Sequence, residues 1–298
     1  MDTEPVVEVC DLVKRFGDQV VLDGVNLKVM PGGTMVVMGG SGSGKSTILR
    51  HMIGSLHPDA GYVKLLGKRL SLLSEDELNE IRKKFGILFQ SGALYNSMTV
   101  AENVSLPLTE HTMLDQKIID IQVKIKLELV GLREHADKYP AQISGGMKKR
   151  AGLARALALD PQVLFYDEPS AGLDPVTSAE IDRLIIALSK KLGVTSIVVT
   201  HEMDSAFAVG DRMAMLEGGR MLKIDSREAF EELRDWPAER ISELDDTQQT
   251  IRQFLRGDAE GPITRRKEAT NYAEDLLGTL EPENFAEGGP AIESTRPQ

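Results

Sequence analysis

Residues 39–47 carry a glycine-rich pattern that suits phosphate binding. The pattern follows the strand-like run Thr34–Met38 and fits G-x-x-x-x-G-K-[ST]. Its members are Gly39, Gly40, Ser41, Gly42, Ser43, Gly44, Lys45, Ser46 and Thr47. Glycines let successive backbone N–H groups turn toward an anion, and the N-terminus of a following helix adds partial positive charge. We therefore expect Lys45 to contact the β- and γ-phosphates of ATP and Ser46 to place its hydroxyl on Mg²⁺.

Two adjacent acids follow the apolar run Val163–Tyr166. An open α/β sheet binds ligands at the carboxyl ends of its strands, so Asp167 is placed to hold Mg²⁺ through its water shell. Glu168 is placed to orient and deprotonate the water molecule that attacks the terminal phosphate. Neighbouring side chains on a strand face opposite ways, so the chain must bend after Asp167 for both acids to act together. Pro169 helps to end the strand.

Short apolar runs alternate with helical patterns along most of the chain, which predicts an α/β fold with a mostly parallel sheet. The predicted strands are Val6–Val9, Asn26–Val29, Thr34–Met38, Tyr62–Leu65, Gly86–Phe89, Val163–Tyr166, Ser196–Thr200 and Arg212–Leu216, with a hairpin at Gly218-Gly219. The predicted helices are Lys45–Ile53, Glu75–Phe85, Leu114–Val130, Gly145–Ala158, Thr177–Lys191, Met203–Val209 and Arg227–Leu233.

The order of these elements predicts one domain over residues 1–240, with a helical subdomain inserted at about 91–160. After Ile241 the periodic pattern weakens, although Gln248–Leu255 fits an amphipathic helix. Residues 257–298 are rich in Gly, Pro, Glu and Thr, a composition that is typical of disorder. We expect the extension 241–298 to be largely disordered or to dock on a partner.

Composition limits the class of partner and the compartment. A net charge of −11 argues against nucleic acid as the main partner, because the phosphate backbone binds most strongly to surfaces rich in Lys and Arg. One short basic run lies within the predicted fold, at Lys148, Lys149 and Arg150. The single cysteine, Cys10, excludes an intrachain disulfide and favours a reducing compartment. With no signal peptide and no apolar run of roughly 18–20 residues, a role at a membrane would be exerted from the cytoplasmic side through another subunit.

The segment Ile143-Ser144-Gly145-Gly146-Met147 resembles the LSGGQ signature of ABC ATPases. Further segments match that family in its usual order, and the resemblance covers roughly residues 6–235. They are Phe16 as the A-loop aromatic that stacks on adenine, Gln90 as the Q-loop glutamine, Ala171–Asp174 as the D-loop and His201 as the switch histidine.

This resemblance implies a P-loop NTPase core with an N-terminal antiparallel β portion, and hydrolysis of ATP with Mg²⁺ in a dimer of two identical chains. The Ser144–Gly146 helix tip of one copy then closes on the γ-phosphate that Lys45 of the other copy holds. Hydrolysis removes this contact and opens the dimer. The implied catalytic residues are Glu168, His201 and Gln90, the metal ligands are Ser46, Gln90 and Asp167, and the nucleotide contacts are Phe16, residues 39–47, Ser144, Gly145, Gly146 and Asp174.

Met147 stands where the family usually has glutamine, and a thioether cannot hydrogen-bond as an amide does. Because the phosphate contacts come mainly from Ser144 and the backbone, we expect hydrolysis to survive. Ser-Gly-Gly-Met followed by a basic pair resembles the ATPases of Mce-type (Mla) lipid transporters, as do Phe89–Tyr95 and Thr99–Val104. The resemblance implies phospholipids or related lipids as cargo and the cytoplasmic face of the inner membrane as the location. It implies transmembrane permease subunits as partners, with an Mce-type lipid-binding protein and a small regulatory subunit as further ones.

Three other interpretations stay open. The same fold also serves importers of amino acids or other small polar solutes, and the identity of the neighbouring permease gene separates these cargo classes. A soluble ABC protein of DNA repair or of the ribosome usually has paired cassettes or a long coiled-coil insertion, whereas this chain has one cassette and a compact insert. A P-loop kinase for a small molecule is disfavoured by the Ser144–Gly146 segment.

Overall fold

The computed structural model describes residues 4–264, which form two β-sheets and the helices that flank them. In chain order, the strands are β1 (Val7–Phe16), β2 (Gln19–Val29), β3 (Thr34–Met38), β4 (Ala60–Leu65), β5 (Lys68–Arg69), β6 (Phe85–Leu88), β7 (Val163–Asp167), β8 (Thr195–Thr200), β9 (Arg212–Glu217) and β10 (Arg220–Ser226). The α-helices are α1 (Lys45–Met52), α2 (Glu75–Arg82), α3 (Val100–His111), α4 (Gln116–Leu129), α5 (Gly145–Ala156), α6 (Pro175–Leu192), α7 (Met203–Val209), α8 (Arg227–Arg234) and α9 (Asp246–Arg256).

The larger sheet joins six strands in the order β10-β9-β3-β8-β7-β6. All of its pairs are parallel except the hairpin of β9 with β10. A smaller antiparallel sheet, in the order β2-β1-β4-β5, comes from the N-terminal part of the chain. The α/β class, the mostly parallel sheet, the N-terminal antiparallel portion and the hairpin at Gly218-Gly219 are therefore confirmed.

Alternating side chains on the parallel strands divide the core into two apolar layers. In β3, Val36 and Met38 face the layer under α3 to α9, whereas Met35 and Val37 face the layer shared with the antiparallel sheet, α1 and α2. This is the period of two that a strand imposes on its side chains. Both faces of the large sheet are covered, which explains why its strands are almost wholly apolar.

The topology gathers the carboxyl ends of β3, β6, β7 and β8 at one edge of the large sheet. The register pairs Met38 with Thr200, and Asp167 with Val199. The residues that follow β3, β7 and β8 therefore leave the sheet side by side. In open α/β sheets this is the edge that binds ligands.

Two elements differ from their predicted form. The helix predicted over Glu75–Phe85 ends at Arg82, because Phe85 starts β6 and packs edge-on against Phe165 with 5.5 Å between ring centroids. Helix α3 is missing from the predicted helices, and Pro107 lies inside it. The sequence nevertheless marks its start, because Thr99 and Glu102 have capping-box spacing and form the reciprocal hydrogen bonds of a capping box. Helices α3, α4 and α5 follow one another between β6 and β7 and pack together.

The boundary predicted at residue 240 lies inside the packed part of the chain. Leu244, Ile251 and Leu255 are buried in the same apolar layer as Phe230 of α8. Helix α9 contains the amphipathic segment predicted at Gln248–Leu255, and burial of its apolar face holds the helix in place. The rest of the predicted extension, residues 265–298, lies outside the described residues. Among the helices within residues 4–264, none has the length and apolar composition needed to cross a bilayer.

Ile251→Ala should lower the free energy of unfolding by about 2–4 kcal/mol, because it leaves a cavity between α9 and the core. Equilibrium unfolding in urea measures the difference. Met113→Ala is the matched control, since the Met113 side chain is fully exposed and its loss should change stability by less than about 0.5 kcal/mol. Equal stability of the two variants would mean that α9 does not unfold together with the core.

Candidate nucleotide-binding and catalytic site

The glycine-rich loop curls tightly between β3 and α1. The N–H of Ser43 donates to the Gly40 carbonyl at 3.2 Å, and Gly44 (φ 105°) starts α1 without a side-chain cap. A Cβ at Gly39 would lie 2.0 Å from the Leu216 carbonyl oxygen. These contacts require glycine and leave backbone N–H groups to line the inside of the loop.

Lys45 is buried against the loop that precedes it. Its Nζ donates to the carbonyls of Gly39 at 2.8 Å and of Gly40 at 2.9 Å. Burial lowers the pKa of Lys45, and nearby carboxylates, that of Glu168 first, act in the opposite direction. Within residues 4–264, the buried Oγ of Ser43 has no hydrogen-bond partner. A loop of N–H groups with a buried cation and an unsatisfied hydroxyl fits the polyphosphate of a nucleotide.

The chain bends at Glu168, as it must if the two adjacent acids are to act at one site. Glu168 has a φ of 49°, a conformation that residues other than glycine seldom adopt. Its N–H donates to the Val199 carbonyl at 2.8 Å, so β8 holds the turn in place. Burial and the charge of Glu168 raise the pKa of Asp167, while Arg50 and Lys45 act in the opposite direction. A carboxylate destabilised in this way gains from a bound cation, which suits Asp167 to a metal ligand.

His201 holds both carboxylate oxygens of Glu168. Its Nδ1 lies 2.8 Å from Oε1, and its backbone N–H donates to Oε2 at 3.3 Å. The Glu168 side chain is 12% exposed and that of His201 is 55% exposed. A carboxylate fixed at both oxygens and open on one side can orient a water molecule and accept its proton.

The Ser144–Gly146 segment forms the N-terminal tip of α5. The Ser144 hydroxyl accepts a hydrogen bond from the Met147 N–H at 3.3 Å and so caps the helix. Ser144 and Gly145 are exposed, whereas Met147 packs against the apolar core. A Cβ at Gly146 would lie 2.4 Å from Cγ2 of Thr177, so the missing side chain lets α5 lie directly on α6.

The other predicted residues lie on exposed parts of the same chain. The Phe16 ring is 50% exposed at the end of β1, and the Lys14 ammonium lies 5.5 Å from its centroid. Gln90 is exposed just beyond β6. Asp174 caps α6 by accepting hydrogen bonds from the N–H groups of Val176 at 3.1 Å and Thr177 at 3.0 Å.

The structure brings only part of the predicted set together. Lys45, Asp167 and Glu168 interact through their charges, and Glu168 contacts His201 directly. Within residues 4–264, the side chains of Phe16, Gln90, Ser144 and Asp174 make no hydrogen bond to the glycine-rich loop, and their roles stay predictions.

Sequence reasoning missed Lys149, which contacts the turn formed by residues 168–171. Its ammonium donates to the carbonyls of Ala171 at 2.6 Å and Glu168 at 3.3 Å, and the residue is 4% exposed. The signal was present in the helical period, because Lys149 lies between Gly146 and Leu153 on the face that α5 buries. A charged residue on a buried helix face needs a specific partner.

The sequence pattern also did not predict a buried polar cluster behind the same turn. The Ser205 hydroxyl lies 2.9 Å from the Ser170 hydroxyl and 2.9 Å from an Asp182 carboxylate oxygen. Burial raises the pKa of Asp182. The cluster joins α6 and α7 to the turn, and its members are too far apart in sequence to form a motif.

A glycine-rich loop after a central parallel strand, with an oriented carboxylate at a neighbouring strand end, defines a P-loop nucleotide hydrolase. Residues 22–171 match a family model described as ABC transporter. The chain belongs to the ABC transporter family, and it is the ATP-hydrolysing subunit of a transporter.

Relatives of known name match over most of the chain. A probable ribonucleotide transport ATP-binding protein, mkl, of Mycobacterium leprae is 39% identical, over 98% of this chain and 81% of that protein. An intermembrane phospholipid transport system ATP-binding protein, MlaF, of Haemophilus influenzae is 38% identical, over 91% of this chain and 98% of that protein. MlaF of Escherichia coli is 37% identical, over 91% and 96%.

Two solved structures have the same fold. The cassette MJ0796, in a dimeric post-hydrolysis state bound to ADP and Pi, superposes with a TM-score of 0.68 at 32% identity, over 74% of this chain and 98% of that one. The cbiO1 protein of Clostridium perfringens, part of the cbiONQ transporter complex, gives a TM-score of 0.72 at 30% identity, over 80% and 98%.

Glu168→Gln should lower ATP turnover about 100-fold or more, because an amide cannot accept the proton of the attacking water. Nucleotide affinity should stay within about twofold, since the glycine-rich loop is intact. Phosphate release and titration with a fluorescent ATP analogue measure the two quantities. Glu180→Gln, at an exposed position of α6, is the control and should hydrolyse ATP normally. Normal turnover in Glu168→Gln would remove Glu168 from the role of base.

Proposed function

We propose that two copies of this chain bind ATP and Mg²⁺ head to tail between them, and that closure of this dimer energises phospholipid transport through permease subunits. The observation that carries the proposal is the exposed tip of α5. It is a helix N-terminus with small residues, which suits an anion, in a chain that already has a phosphate loop at α1.

The contacts of this tip favour a partner that comes from outside the chain. Gly145 lies against Leu173 and Gly146 against Thr177, so the tip rests on the loop before α6 and on α6 itself. Its exposed side is then free to meet a nucleotide held by another copy. A dimer with two-fold symmetry completes both sites at once, because each copy supplies one loop and one tip. The dimeric cassette MJ0796 supports this arrangement.

The donors around the loop suit Mg²⁺. Ser46 offers a hydroxyl, Gln90 an amide oxygen and Asp167 a carboxylate whose charge burial penalises. In nucleotide sites Mg²⁺ takes few protein ligands and completes its shell with phosphate oxygens and water. When bound, it neutralises charge that develops on the β- and γ-phosphates.

The chain's own residues would divide the work of hydrolysis. Lys45 and the loop N–H groups bind the phosphates, and Phe16 stacks on the base. Glu168 orients the attacking water and takes its proton, and His201 and Gln90 act beside it in the site. The α5 tip of the other copy, together with Asp174 near the interface, completes the enclosure. Electrostatic stabilisation of this kind supplies most of the catalysis in phosphoryl transfer.

A groove of about 480 Å³ beside β6 suits a cytoplasmic helix of a permease. Its apolar surface comes from Ile87 within β6, from Phe89 just after β6 and from Pro107 of α3. Its polar groups come from His111 and Arg155. Phe89 is 42% exposed and immediately precedes Gln90. An occupant of this groove would therefore press on the residue that is expected to contact the metal.

The names of the relatives favour two cargo classes. MlaF proteins serve intermembrane phospholipid transport, and this agrees with the resemblance of the segments around Phe89 and Met147 to lipid transporters. The Mycobacterium leprae relative is named for ribonucleotide transport, so ribonucleotides are the second candidate.

In the presence of MgATP, Glu168→Gln should elute as a dimer in size-exclusion chromatography with light scattering, because ATP stays uncleaved between the copies. Ser144→Arg in the Glu168→Gln background should leave a monomer, since a long side chain at the α5 tip prevents closure. Ser74→Arg in that background is the matched control, because Ser74 caps α2 in the same way. Dimers in all three variants would contradict the proposed interface.

The complex purified from native membranes and reconstituted in vesicles should move fluorescent phospholipid in the presence of MgATP and leave ribonucleotides outside. Glu168→Gln should abolish this movement. Phe89→Glu should keep ATP hydrolysis within about twofold while transport falls about tenfold or more, since it separates the ATPase from the permease. ATP-dependent uptake of ribonucleotide without lipid movement would select the second cargo class.

A further inference from the structure

A buried lysine joins α5, whose tip is the proposed second phosphate site, to the turn that carries Glu168. Lys149 lies on α5 and is 4% exposed. Its ammonium donates to the backbone carbonyls of Ala171 at 2.6 Å and Glu168 at 3.3 Å. Within residues 4–264, it forms no ion pair with a carboxylate. Burying an ammonium is costly, and the two backbone carbonyls, together with the nearby charges of Glu202 and Glu168, compensate for its lost hydration.

The carbonyl of Glu168 is the closing point of the catalytic turn. It accepts a hydrogen bond from the Ala171 N–H at 3.3 Å, so residues 168–171 form a closed turn. Lys149 contacts this turn at both ends. The backbone of Glu168 is also held in a left-handed conformation. A small shift of the ammonium would therefore rotate the peptide that determines where the Glu168 carboxylate points.

The position of Lys149 along α5 relates it to the tip. It follows Ser144 by about one and a half turns, or roughly 7.5 Å along the helix axis. An α-helix of this length moves as a rigid body, so a displacement of the tip reaches the ammonium largely undiminished. In the proposed dimer, the tip contacts the nucleotide of the other copy, whereas Glu168 acts on the nucleotide of its own chain.

We propose that Lys149 is a positioning residue that couples the two nucleotide sites of the dimer. A nucleotide held by one copy draws in the α5 tip of the other copy, and Lys149 then aligns the Glu168 turn of that second copy. This inference rests on the proposed function, because the tip meets a nucleotide only in a dimer. Hydrolysis at one site thereby depends on occupancy of the other, which is coupling between distinct sites.

The test measures ATP hydrolysis over a range of ATP concentrations in the full-length protein. For Lys149→Met, we expect turnover to fall about tenfold to a hundredfold, as misalignment of a catalytic group does, and the Hill coefficient to fall from above one to about one. Affinity for a fluorescent ATP analogue should stay within about twofold. Lys148→Met is the matched control. Lys148 is the adjacent, half-buried lysine, and within residues 4–264 its ammonium has no hydrogen-bond partner, so this variant should behave as the wild type does.

Lys149→Arg keeps the donors and the charge, and it should recover cooperativity that Lys149→Met loses. Equal defects in Arg and Met would point to packing alone and overturn the proposal, as would wild-type turnover and cooperativity in folded Lys149→Met. If Lys149→Met does not unfold cooperatively on heating, it is not folded and cannot test the proposal. Lys149→Arg is then the test, and a Hill coefficient of one in this variant would overturn the proposal. A wild-type Hill coefficient of one, with normal hydrolysis, overturns the coupling alone. If Glu168→Gln remains monomeric with MgATP, the proposed dimer is overturned as well.

Discussion

The hydrogen bond from the Glu168 N–H to the Val199 carbonyl is the contact on which the rest of the site depends. It fixes the chain in a left-handed bend at the point where β7 ends. Without the bend, the two adjacent acids would face opposite sides of the sheet. With the bend, Asp167 stays half-buried and near the charge of Lys45 in the phosphate loop, while Glu168 turns to His201. A strained backbone is thus retained where it sets the directions of two adjacent acids, and the hydrogen bond to the neighbouring strand offsets part of its cost.

The parallel sheet supplies the frame for this bend. Because β3, β8 and β7 are adjacent and parallel, three consecutive strand ends deliver the phosphate loop, His201 and the acids to one edge. The two apolar layers on either face hold these ends in register. The positions of these polar residues at the edge are therefore determined by packing in the core, whose residues are mostly apolar and unreactive.

Much of the fold and of the site could be predicted because the signals are local. The phosphate loop is one contiguous pattern, and the need for a bend after Asp167 follows from strand geometry alone. The parallel strands were legible because burial on both faces makes them uniformly apolar. By contrast, the contact of Lys149 with Ala171 joins distant segments, and no local pattern encodes it. The pattern predicted a helix at Gln248–Leu255 but not its packing, because Ile251 is buried in a layer built by the rest of the chain.

The contact between Gly146 and Thr177 has a consequence for genetics. Every amino acid other than glycine has a Cβ, and a Cβ at this position would collide with the Thr177 methyl group at 2.4 Å. In a saturation library selected for activity, substitutions at Gly146 would thus be lost as strongly as substitutions at Lys45. The cause would be steric at Gly146 and electrostatic at Lys45. Intolerance at Gly146 would therefore not by itself demonstrate the loss of a nucleotide contact. Pairing each allele with Thr177→Ser or Thr177→Gly, which remove that methyl group, would separate the two causes by suppression.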